Sequence, residues 1–501
     1  MGTISFRLPP GLPSSTLELL KSASIAGGFD NVPSPTQVRL NSREIQLRRP
    51  VDESGFLVTP WPVGDVGTLM AQTTSLMERN EPYVLSVELV RGKLHHVRNQ
   101  VARWSDIGLP LPSWLTDELQ NLNRQFARLL AQSASDSLDA QALDLLSQVF
   151  RFADRMMRYG NEVLHQFRVT QLNADVSIGC SVWNALSLDD PRSMFDHVRM
   201  ELPWRAIEPT ESQYDWSSSD ALMRWAEQHS MPLSAGPLVN FSKIGIPDWL
   251  WIWQGDLANL AHFMCDYVET VVSRYRSQVK RWLICSGCNV GGALGFGEDE
   301  LLWLTTRLVE AVQQLAPEAE LVVGVTQPWG DYMALDEHTY SPTVFLDTLL
   351  RTNLKVSGVE LEVVLGVSPV GSYWRDLLDT SRMLDHFADL GTPVEVTLGI
   401  PADARSDERA DPDARVGLGH WSKGYSPEVQ AERGIALMET AAAKPYVSHV
   451  VWTQLSDAVP HRHPHCGLFD AAGLPRPIVN ALQDFHERRG RIEPSSESKP
   501  S

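Results

Sequence analysis

Cysteine is scarce in this chain: five thiols (Cys180, Cys265, Cys285, Cys288 and Cys466) in 501 residues. That number at those spacings makes no disulfide framework, and reduced thiols are expected. Long hydrophobic runs are missing as well. No stretch of roughly 18 apolar residues offers a membrane span, and residues 1–10 lack the charged-then-apolar order of a secretory signal. A cytoplasmic location is the expectation from both absences. Basic charge is in deficit, with 43 Lys and Arg against 62 Asp and Glu, a formal net charge of −19. Such a field repels nucleic acid and anionic membranes, which removes both as expected partners. A neutral ligand such as a glycan is compatible with it.

What is present is the composition of a globular protein, 43% hydrophobic with sixteen Trp. The length suggests about two or three domains. Residues 1–95 read as a β-rich module, with short β-branched runs between Pro, Gly, Asn and Ser turn signals. Phe6 and Trp61 there are either a stacking face for sugars or ordinary core. Residues 96–170 change to helical spacing and form a connector. From 171 to 490, strand-like runs at 176–182, 198–202, 233–239, 281–285, 320–325, 358–365, 393–398 and 447–452 alternate with helical patterns. Eight such pairs predict an α/β chain whose main domain is a (β/α)8 barrel. Residues 491–501 are a polar tail, expected to be disordered.

The C-terminal part carries the most specific pattern. Val450-Val451-Trp452-Thr453-Gln454-Leu455-Ser456-Asp457 is followed by Gly467-Leu468-Phe469-Asp470 and then Pro475-Arg476-Pro477. This resembles the last β/α unit of the glycoside hydrolase family 10 (xylanase-type) barrels. Trp204 and Glu208-Pro209 are similar to that family's second unit. The resemblance implies a retaining glycosidase barrel, which needs two carboxyl groups about 5–5.5 Å apart. It places the acid/base on Gly287 and the nucleophile on Leu398, neither of which can serve. The family's sugar-binding Glu, Asn and Lys fall on Arg199, Met200 and Pro203. In the third unit both family histidines are missing, and Asn240 or Ser242 could donate in their stead. In the sixth strand the resemblance puts Glu362 in place of a Gln and Val364 in place of a His.

Glu360 and Glu362 share one strand face, turned into the barrel by period-2 alternation. A carboxylate there is costly unless bonded, paired or used. It is either a structural group held by Arg199 or a backbone amide, or part of a site. The catalytic candidates are Glu362 and Asp457. Trp204, Glu201, Asn240, Trp329, Asp331, Trp452, Gln454 and His463 are the candidates for binding substrate, the three tryptophans as stacking platforms. No metal or cofactor is expected. The alternative is zinc held by Cys285, Cys288 and the His461–Cys466 cluster. The expected function is carbohydrate binding on a family-10-like barrel without ordinary retaining chemistry. An O-glycosyl hydrolase with relocated carboxylates such as Glu362 is the first alternative, and a metal-dependent hydrolase the second.

Overall fold

Parallel strands covered on both faces must be apolar almost throughout. The chain meets this demand in its C-terminal two thirds: every residue of Gly358–Val364 and of Val394–Gly399 is buried. The computed structural model describes residues 2–132, 136–184, 191–242, 244–291, 294–352 and 354–491. In it, Ser177–Val182, His197–Met200, Leu233–Ala235, Arg281–Leu283, Glu320–Thr326, Gly358–Val364, Val394–Gly399 and Val447–Trp452 close a parallel barrel. The last strand pairs with the first, Trp452 opposite Cys180. Helices such as Leu257–Tyr275, Glu298–Leu315 and Pro427–Ala442 pack outside it. This is the (β/α)8 architecture read from the sequence.

Two expected strands break in the middle. The run at 233–239 stops at Ala235 and resumes as Val239–Asn240, because Gly236 has a φ of 122° and Pro237 has no N–H for the ladder. The run at 281–285 likewise resumes as Cys285–Ser286, which pairs with Val239–Asn240 above the barrel proper.

The N-terminal residues build two small sheets. One is ordered Gln37–Leu40, Glu44–Arg49, Gly2–Arg7 and Tyr83–Val84. The other contains Val32–Ser34, Ser24–Gly27, Phe56–Pro62 and Gly67–Gln72, and its outer strand, His420–Trp421, comes from the segment after the seventh barrel strand. That loan, with the Met70 N–H donating to the Trp374 carbonyl at 2.7 Å, joins the module to the barrel. Phe6 and Trp61 are buried in its core. Three helices follow, Leu85–Asp106, Ser113–Leu130 and Asp136–Gln171. The third docks on Pro427–Ala442 through Arg433–Asp154 at 2.6 Å and Asn161–Thr440 at 2.7 Å. Among the described residues no helix is long and apolar enough to cross a membrane. Apart from residue 491, the expected tail lies outside the described residues.

Candidate functional site

Inside the barrel the register sets Glu360 opposite Glu395 and Glu362 opposite Thr397. Arg199, from the second strand, reaches across to meet them. Its Nη1 donates to Glu360 at 3.1 Å and to Glu395 at 3.0 Å, and its Nε donates to the Ser181 hydroxyl at 2.9 Å. Thr397 Oγ1 donates to Glu360 at 2.5 Å. Arg281 completes the layer, 3.0 Å from Glu395. Burial opposes ionisation of Glu395, but Arg281 and then Arg199 outweigh it and hold the carboxyl at about 2. Burial pushes Glu360 the other way, to about 7, because Arg199 is offset by the neighbouring charges of Glu362 and Glu395. The Arg199 partner expected for this pair is therefore real for Glu360.

Glu362, one step nearer the strand's C-terminal end, has a different partner. Arg462 Nη1 donates to it at 2.7 Å and Nη2 at 3.2 Å, and His463 Nε2 lies 3.2 Å away. Burial disfavours its charge, yet Arg462 and His463 outweigh burial and keep it anionic, well below the usual carboxylate range. Arg462 is the member of this cluster that the sequence pattern does not single out. It sits inside the His-rich 461–466 segment, where the histidines drew attention as possible metal ligands.

Arg199, Glu360, Glu362, Arg462 and His463 line a cavity of about 340 Å³ at the C-terminal mouth, where barrels of this class place their sites. Glu201, Trp204, Asn240, Glu362, Gln454 and His463 all line it. Six of the ten candidate site residues are thus brought together. Burial, with the charge of Glu362, raises Glu201 against the pull of Arg199, Arg462 and His461. One face of Trp204 is stacked on Tyr267 (4.6 Å between centroids, 17°), and its Nε1 donates to Glu208 at 2.7 Å, so the Glu-Pro step anchors the ring. A second cavity of about 190 Å³ shares Asn240, Ser286 and Arg462 with the first, giving a two-lobed cleft.

The other four candidates lie elsewhere. Trp452 is paired in register with Leu398 and faces the helices: its Nε1 donates to the Cys466 carbonyl at 2.7 Å, and its ring packs on Gly434. Leu398 shares that outward face, so the inward residues at the nucleophile's level are Thr397 and Gly399. Gly287 has a φ of 73°, a backbone turn rather than a place for an acid side chain. Asp457 is buried and occupied, 2.6 Å from Arg476 and accepting from Gln454 and from the Gly467 N–H at 2.7 Å each. Its role is to brace the last loop. Trp329 lines a separate cavity with Val32, Phe56 and Met70 of the N-terminal module, and Arg375, which lines the same cavity, holds Asp331 beside it. There Asp331 binds Arg375 at 2.5 and 3.0 Å, and Arg375 covers the Trp329 ring at 4.4 Å.

The alternative zinc grouping is not brought together among the described residues. Among the described residues, the acid, His and Cys side chains close enough to share an ion are Asp407, Asp457 and His465, without either cysteine of the C-x-x-C. Asp457 is already committed to Arg476. His461, 3.0 Å from Asp407, positions the 460s segment over the cavity.

A family model described as Glycosyl hydrolase family 10 matches residues 192–286, from the second strand to the tip of the fourth. Endo-1,4-beta-xylanase B of Thermotoga neapolitana is 22% identical over 346 residues, covering 64% of this chain and 92% of that protein. Endo-1,4-beta-xylanase A of Halalkalibacterium halodurans is 24% identical over 214 residues, 38% of this chain, and the match spans half the length of that protein (50%). Among solved structures, xylanase 10B from Thermotoga petrophila RKU-1 in complex with xylobiose is 18% identical over 67% of this chain and 98% of that one, at a TM-score of 0.46.

Proposed function

Starting from a barrel of the glycosyl hydrolase family 10 type, we propose that this protein binds a carbohydrate at the barrel mouth and does not cut it by ordinary double displacement. The observation that carries the reading is the state of the cavity's carboxyls. Double displacement needs one free nucleophilic carboxylate and one acid about 5–5.5 Å apart, from two strands. Here the seventh strand offers Thr397 and Gly399, the fourth offers Ser286, and Glu362 is clasped by Arg462 and His463. The cavity retains polar groups of the kind sugar binding uses, the side-chain donors and acceptors of Asn240, Gln454 and His463, whereas Trp204, 1% exposed and packed between Tyr267 and Trp249, offers no open stacking face. The relatives it matches are named endo-1,4-beta-xylanases, which supports a β-linked saccharide as the ligand class.

A second reading has its own support. Glu201 is raised and Glu362 lowered within one cavity, and pKa values pushed apart in this way mark acid and base partners. The test is reducing-sugar release from soluble β-linked oligosaccharides by wild type, Glu201→Gln and Glu362→Gln, alongside thermal shift with the same sugars. Saturable stabilisation without release supports a binding protein. Release by wild type that both variants lose supports the relocated pair. Silence in both assays removes the carbohydrate reading.

A further inference from the structure

The segment after the seventh barrel strand runs from 400 to 426 without a helix. A connection of that length needs partners elsewhere in the chain for its backbone. Its first half lies at the mouth. Arg409 lines the larger lobe of the cleft, and Asp411, Asp413 and Ala414 line the smaller. The His461 N–H donates to the Arg409 carbonyl at 3.0 Å, and His461 Nε2 lies 3.0 Å from Asp407. Arg462 and His463, the next two residues, are the ones that hold Glu362.

Its second half belongs to the N-terminal module. His420 and Trp421 pair with Thr68 and Gly67, and the Ser422 N–H donates to the Val66 carbonyl at 2.7 Å. The two backbones meet at glycines on both sides. A Cβ on Gly67 would stand 2.3 Å from the His420 carbonyl oxygen, and one on Gly419 would stand 2.4 Å from that of Thr68. So close an approach leaves no room for a side chain at either position. Trp421 is clamped from outside by Arg433, whose guanidinium lies 3.7 Å from its ring centroid. Between the two halves, Arg415–Val416 pairs with Val367–Ser368, and the Gly417 N–H donates to the Gly366 carbonyl at 2.8 Å. Backbone contacts thus follow one another along the segment from the module's edge strand to the mouth.

We propose that the N-terminal module is a positioning element of the barrel mouth. By holding His420–Trp421 it sets the wall that carries Arg409, Asp411 and Asp413, and through His461 it sets the seat of Arg462 on Glu362. The role does not depend on which ligand the mouth takes, so it stands apart from the carbohydrate reading. An open sheet edge is a liability that invites pairing with another chain. Here the edge is closed by a segment whose other end walls the cleft, which ties the packing of the module to the shape of the mouth.

The test is hydrogen–deuterium exchange on the full chain, read on peptides covering 408–418 and 458–466, in wild type, Gly67→Ala and Arg375→Met. Gly67→Ala overpacks the junction with His420, and a strained contact of that kind shifts a local opening equilibrium by about tenfold or more. Exchange in both peptides is expected to rise by that factor. Arg375→Met loosens the module at a different contact, the Asp331 pair, and is expected to leave both peptides at the wild-type rate. Trp421→Leu removes the Arg433 clamp and keeps the module's own strands, so it carries the test where Gly67→Ala does not fold, with a rise in the same two peptides expected. Faster exchange confined to residues 419–423 overturns the proposal. An equal rise in Arg375→Met overturns it too, because the mouth would then respond to any loosening of the module.

Discussion

Arg462 clasps Glu362 in a two-point ion pair, 2.7 Å and 3.2 Å, at the top of the barrel. A carboxylate held in this way is anionic and oriented, and its lone pairs are occupied until the guanidinium moves. Arg462→Met leaves a buried charge with only His463 and Thr326 as partners. Removing one partner of a buried pair costs about 3–5 kcal/mol, and urea denaturation at pH 7 is expected to read a loss of that order. The double variant R462M/E362Q should regain part of it, because the stranded charge is gone. If R462M is as stable as wild type, the pair is not the lock described above.

Glu360 titrates where few carboxyls do. Its pKa is raised from the unfolded value of about 4.3 to about 7 in the folded protein. Its stabilisation is therefore complete below the unfolded value and is lost as pH rises through about 7, by up to roughly 1.4 kcal/mol per pH unit. Glu395, held at about 2, has the opposite sign: its contribution is present above the unfolded value and is lost as pH falls. Glu360→Gln is expected to flatten the fall in stability between pH 5 and 7 (about the window just named) and to keep the acid limb. Parallel urea midpoints for variant and wild type across that window would show that Glu360 does not titrate there.

The eight barrel strands were legible because a parallel strand buried on both faces leaves a continuous apolar run, which helices cannot imitate at that length. Glu360 and Glu362 stood out as acids inside such a run, and period-2 parity turned them inward correctly. The same period-2 rule turns Trp452 and Leu398 to a shared outward face. Other features depend on contacts no local pattern encodes. His420–Trp421 completes a sheet begun some 350 residues earlier, and Asp331 is claimed by Arg375 at the N-terminal module rather than by the barrel mouth. Arg462 left no signal either, because its importance comes from Glu362, a hundred residues away.

The Arg375 side chain gives the module–barrel junction a single test. It is buried, binds Asp331 at two points and covers Trp329. Arg375→Met leaves the Asp331 carboxylate with the Tyr373 N–H at 3.3 Å in place of its ion pair and is expected to lower stability by about 3–5 kcal/mol. Proteolysis under native conditions should then cut preferentially near the N-terminal strands. Sugar-induced thermal shifts are expected to persist, since neither Trp329 nor Asp331 lines the mouth cavity. Loss of those shifts in a folded R375M protein would return Trp329 and Asp331 to the ligand site.

Gly324 faces the barrel axis next to Glu360, its register partner on the neighbouring strand. A Cβ added there would stand 2.1 Å from Glu360 Oε2 and 3.1 Å from the Cys285 carbonyl. The missing side chain is what admits the carboxylate to the Arg199 layer. Gly324→Ala is expected to cost about 1–3 kcal/mol through overpacking, and to disturb the Arg199–Glu360 contact. The Cys285 carbonyl is tight but tolerable, whereas the carboxylate must move, so the penalty belongs mainly to Glu360. In a Glu360→Ala background the same substitution should therefore be close to neutral, and the coupling between the two sites should exceed the roughly 0.5 kcal/mol found for independent positions. Additive losses in the double variant would mean that Gly324 is required by the backbone around Cys285 and not by the carboxylate.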